Sequence, residues 1–152
     1  MAYSTIETLS KKIDQRKLVD YVNDEQRPDT EIELESEEDI CVVRINQVCT
    51  EVAEEIDNSL RGRYKLPLTT IPGTIQTISD DRVIYNLKLR RHRDDMSETE
   101  MKIYSDSTKR LQRIQEGKEL LDLELKNAEA GAGQIFTNKK SRSEFSKLLD
   151  TF

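Results

Sequence analysis

From Cys41 to Leu60 the apolar residues return at steps of three and four: Cys41, Ile45, Val48, Cys49, Val52, Ile56 and Leu60. An α-helix puts such a series on one stripe, and the opposite face here carries Glu51, Glu54, Glu55 and Asn58. The spacing predicts one long amphipathic helix over about residues 37–61. A helix of that length cannot bury a stripe against itself. It demands neighbours with matching stripes, and that requirement decides the fold class.

The neighbours are legible. Ile75, Ile78, Arg82, Tyr85 and Leu89, widened by Val83 and Leu87, predict a helix over about 74–91 after the Pro72-Gly73 break. Ser97-Glu-Thr-Glu100 reads as a capping box, opening a helix to about Glu116 with Met101, Tyr104, Thr108, Leu111 and Ile114 inward and Gly117 as its stop. Near the N-terminus, Ser4-Thr5-Ile6-Glu7 reads as another capping box, opening a short helix to about Lys12. A second short helix over 13–23 carries Leu18, Val19 and Val22. The expectation is an all-α small helical bundle, two short helices followed by three longer ones, over residues 1–123. A linker and extended C-terminal tail follow over 124–152.

The core of such a bundle is thin: 35% of the residues are hydrophobic and 5% aromatic, against 36% charged. A formal net charge of -6 disfavours general binding to duplex nucleic acid. Nine of the sixteen residues from Asp24 to Asp39 are acidic, which reads as a solvated loop running into a helix start. It lacks the glycine of a calcium loop. Cys41 and Cys49, eight residues apart on one helix, stand roughly 12 Å apart by helical rise and cannot pair, so both read as small apolar residues. No apolar run has the length of a signal peptide or a membrane span, and the expected setting is the cytoplasm.

Catalytic signals are missing from the pattern. His92 is the sole histidine and belongs to the basic run Arg90-Arg91-His92-Arg93, with no serine or cysteine in a nucleophile motif. Gly131 and Gly133 lack the strand and lysine of a phosphate loop. The expectation is a non-enzyme without cofactor, metal or small-molecule substrate. Arg90, Arg91 and Arg93 could meet phosphates as a charged helix end, without sequence readout.

All three phenylalanines lie beyond the small-residue stretch 128–133: Phe136, Phe145 and Phe152, the last two with Leu148 and Leu149 between them. Such anchors need cover. Either the tail folds back on its own domain or it docks on another chain.

Leu60-Arg61-Gly62-Arg63-Tyr64-Lys65-Leu66-Pro67-Leu68 ends the long helix with more charge and apolar surface than a stop requires. Gly62 reads as a left-handed stop, with Tyr64, Leu66 and Leu68 packing back, Pro67 stiffening the turn, and the basic side chains left to face a partner. Together with Ile56 and Asp57 before it, the segment resembles the signature of the Mu-like prophage family of small virion neck proteins. That family carries an Ile-Asp, a Leu, a Gly-Arg-Tyr and a Leu-Pro-Leu in this order. Pro72, Asp81, Tyr85 and Leu87 match further positions, and Ile135-Phe136-Thr137 resembles the family's tail motif. The acidic loop departs from the family pattern in being longer and free of glycine.

The resemblance implies a structural adaptor that completes the phage head and joins it to the tail. It implies assembly as a ring, commonly of twelve, on the portal, with tail-side neck proteins as further partners and packaged DNA within contact. It implies a virion protein assembled in the bacterial cytoplasm. The rival reading from the residues is a small helical nucleic-acid-binding regulator of a prophage, using Arg90, Arg91 and Arg93.

Overall fold

A computed structural model describes residues 2–125. The helices run α1 (Ile6–Ser10), α2 (Gln15–Val22), α3 (Ile40–Leu60), α4 (Gly73–Arg91) and α5 (Glu98–Glu116). Single 3-10 turns, Asp29–Glu31 and Arg93–Asp95, lie in the connections. Among the described residues there is no strand, only an isolated antiparallel bridge between Tyr64 and Leu125. The fold is an all-α small bundle in the expected order of two short and three longer helices. None of its helices is long and apolar enough to cross a membrane. Phe136, Phe145, Leu148, Leu149 and Phe152 lie outside the described residues.

The α3 stripe is the spine of the core. Cys41, Ile45, Cys49, Val52, Ile56 and Leu60 are all buried, and Val42 and Ala53 join them. α4 crosses α3 and also meets α2 and α5, so it contributes from more than one side. Ile75, Ile78, Val83 and Leu87 are buried, with Ser79 and Arg82 between them. Leu111 and Ile114 close the core from α5. Upstream on α5 the expected inner face opens: Met101 is exposed, Tyr104 is half-buried and Thr108 is exposed. Only the C-terminal half of α5 leans on the core.

The helix ends follow simple chemistry, with some shifts from the expected positions. Asp39 caps α3, its Oδ1 accepting from the Cys41 N–H at 2.8 Å, so the helix starts at Ile40 and not at residue 37. Ser97 and Glu100 form the expected capping box of α5. At α1 the box is Thr5 with Thr8, because Ser4 is buried and spends its hydroxyl on Ser79 Oγ at 2.7 Å. α1 therefore ends at Ser10. Gly117 ends α5 in the left-handed region, φ 78°. Gly62 does not do the same for α3: its φ lies outside that region, and Arg61 is the right-handed cap.

The acidic loop is tied to the bundle. Arg27 pairs with Asp39 at 2.6 Å, and Arg44 holds Glu25 through both guanidinium ends at 2.6 and 2.8 Å. The Asn23 side-chain amide donates to the Arg27 carbonyl and its Oδ1 accepts the Arg27 N–H, which brings the chain round into the loop. Hydrogen bonds from Arg44 hold the Glu25 carboxyl down to about 2, and those from Arg27 and the Cys41 N–H hold Asp39 there too. Both cysteines are buried and unpaired, as a helix-face role requires.

Candidate functional site

The segment Leu60–Leu68 forms a corner where three parts of the chain meet. Leu60 finishes the α3 stripe fully buried. Tyr64 turns inward and is 1% exposed, and its hydroxyl accepts the Leu121 N–H at 3.0 Å. Leu68 is buried and Leu66 packs against the core. The Leu66–Pro67 peptide bond is cis. The chain after α5 crosses back over this corner as a strap: Leu121 is buried, Leu123 packs on the core, Leu125 bridges to Tyr64, and the Glu124 carbonyl receives the Lys65 N–H at 3.4 Å.

Arg63 joins the corner to the end of α5. Its guanidinium lies directly over Gly117, where any Cβ would collide with it. That position is the negative end of the α5 dipole, which favours a cation. Gly117 thus answers two demands: a left-handed backbone and a close approach. Sequence reading assigns Arg63 to the end of α3 and misses this contact. The signal lies in Gly117 alone, as a helix stop, and nothing in the sequence says which side chain covers it.

Asp57, one turn before the helix end, accepts the Tyr3 hydroxyl and thereby anchors the N-terminal segment to α3. Burial and the Asp57 carboxylate push the Tyr3 phenol well above its ordinary range. Ile56 beside it is fully buried. Outside, a shallow depression of about 480 Å³ is bordered by Asp57, Arg61, Lys65 and Pro67, with Tyr64 and Leu66 at its base. Arg61 and Lys65 are exposed at its rim. The corner therefore presents cationic side chains on a backbone fixed by buried Leu60, Tyr64 and Leu68. No group of three or more His, Cys, Asp or Glu suited to a metal occurs among the described residues.

The remaining sequence-predicted residues fall elsewhere. Pro72 caps α4. Asp81 pairs with Lys12 at 2.6 Å and holds α1 to α4. Tyr85 stacks on Tyr104 with ring centroids 4.2 Å apart, and Leu87 is fully buried. Arg82, placed by its spacing on an apolar stripe, is buried and reaches Glu55 at 2.7 Å and Thr108 at 2.9 Å while lying over the Tyr104 ring. A charged residue on an inward stripe was the visible clue to this network.

The basic run at the end of α4 is largely occupied within the chain. Arg90 forms a two-pronged pair with Asp24 and reaches the Tyr21 carbonyl. Arg91 bonds the Asp20 and Asn23 carbonyls at the C-terminal end of α2. His92 Nε2 lies 3.1 Å from Asp20 Oδ2. Arg93 is exposed. Three of the four side chains thus fasten α4 to α2 and the acidic loop.

A family model described as Bacteriophage Mu, Gp36 matches residues 3–137. The match takes in all five helices, the corner and the strap. No curated protein matches the sequence.

Proposed function

The chain belongs to the Bacteriophage Mu, Gp36 family, and from that premise we propose that it is a structural connector of the virion neck, not an enzyme. In this reading it assembles in the host cytoplasm, docks as a ring on the portal and receives the tail-side neck proteins. The observation that carries the reading is the corner at Leu60–Leu68. Leu60, Tyr64 and Leu68 are buried, the backbone is strapped by residues 121–125, and Arg61 and Lys65 stand exposed on that base. Side chains held on a fixed backbone lose less freedom on docking, which favours specific assembly. A small core fits a subunit completed by contacts with its copies.

The test is an induced prophage with a stop codon early in this reading frame. Electron microscopy of the lysate should show heads apart from intact, free tails, and complementation with the wild-type chain should restore joined particles. Complementation with Arg61→Glu/Lys65→Glu should fail although the variant folds. Normal joined virions from the stop-codon prophage would sink the connector reading.

A further inference from the structure

Between α4 and α5 a groove of about 330 Å³ has Ile84, Tyr85 and Ile103 on its apolar side. Ile103 is 44% exposed, a large apolar side chain open to water. The charged residues of the groove are already matched: Lys12 with Asp81 at 2.6 Å, and Lys88 with Glu100 at 2.8 Å. Paired charges leave no surplus to hold a small ion, so the groove suits an apolar segment.

The sequence contains one of the right form. Phe145, Leu148, Leu149 and Phe152 stand at i, i+3, i+4 and i+7, the spacing by which an amphipathic segment lays anchors into a groove. The last described residue, Leu125, is pinned to Tyr64. Seventeen residues, 126–142, separate it from Ser143. At full extension they reach roughly 55–60 Å. From Tyr64 to Gly73 is at most about 30 Å of chain, and from Gly73 to Ile84 about 17 Å of helix, less than that reach together. Reach is ample. A tether of this length also holds its end at an effective concentration on the order of millimolar, which favours the chain's own segment over a second copy in dilute solution.

We propose that the α4–α5 groove at Ile84, Tyr85 and Ile103 is the seat of the chain's own C-terminal segment, residues 143–152, in the free protein. Phe145, Leu148, Leu149 and Phe152 are the apolar anchors that the segment offers to it. The proposal concerns the free chain and does not rest on the connector reading, so either can fail alone.

The experiment attaches a nitroxide to the full chain through Asp150→Cys, on the polar side of the segment, and reads amide signals by NMR. The strongest loss is expected at Ile84, Tyr85 and Ile103, falling off with distance across the bundle. Ile103→Glu, at an exposed position, should abolish the loss without unfolding the chain, as should Phe145→Ser/Leu149→Ser. Mixing spin-labelled chains with separate isotope-labelled chains identifies the occupant. Loss of the same signals in the mixture would assign the groove to a second copy and overturn the proposal, whereas the chain's own segment causes loss only where one chain carries both labels. Absence of selective loss in every sample would overturn it as well.

Discussion

Replacing Gly117 by alanine tests the corner most directly. The residue sits at φ 78°, where a side chain costs about 1–2 kcal/mol from backbone strain. The added Cβ would also strike the Arg63 guanidinium, which must leave the α5 terminus. Losing a cation at a helix C-terminus costs roughly 0.3–1 kcal/mol. Together these give about 1.3–3 kcal/mol, or a Tm lower by about 3–12 °C for a chain of this size. Urea titration followed by circular dichroism gives the free energy, and a thermal scan gives the Tm. The internal control is Gly62→Ala. Gly62 lies outside the left-handed region and has no heavy atom within 4 Å of where a Cβ would sit. That substitution should be neutral or stabilising by a few tenths of a kcal/mol. In an Arg63→Ala background the Gly117→Ala cost should fall to the strain alone. The reasoning is refuted if Gly62→Ala destabilises as much as Gly117→Ala, or if Gly117→Ala costs less than about 0.5 kcal/mol.

Three further outcomes are expected. Tyr64→Phe removes the acceptor of the buried Leu121 N–H and should cost about 1–2 kcal/mol, with faster hydrogen exchange at Leu121 before any change in α3. Asp39 is held down to about 2 by Arg27 and the Cys41 N–H, against about 3.9 in an unfolded chain. A depressed carboxylate adds stability above its unfolded value, and that stability drains as pH falls from about 4 towards 2. Asp39→Asn keeps an N-cap but loses the charge, so its Tm should lie below wild type at neutral pH and converge with it near pH 2. Burial pushes the Cys49 thiol up to about 12 and raises Cys41 too. Neither should react with a thiol reagent at pH 8 in the native protein, and both should react fully in urea.

Much of the bundle is written in local pattern. The α3 stripe, the Ser97–Glu100 box and the Gly117 stop depend on residues three or four apart, and helical geometry alone brings such residues together. The misplacements have tertiary causes. Ser4 would cap α1 on propensity, but Ser79 of α4 takes its hydroxyl, and the cap passes to Thr5. Met101 and Thr108 fit an inward stripe, yet both are exposed: Met101 lies in the half of α5 that leaves the core, and Thr108 sits at its edge, where its hydroxyl accepts from Arg82.

The candidate corner divides along the same line. Its existence, at the end of a long helix with Tyr64 and two leucine anchors among basic residues, was determined by the sequence. So were the match of its signature to a phage family and the demand of Gly117 for a left-handed turn. Only the folded chain decided that Arg63 lies over Gly117, that Tyr64 receives the Leu121 N–H, and that Asp57 accepts from Tyr3. It also tied Arg90, Arg91 and His92 to Asp24, Asp20 and the end of α2. These contacts join residues separated by more than fifty positions. Local propensity carries no information at that range, because the order in which helices pack is set by burying every stripe at once.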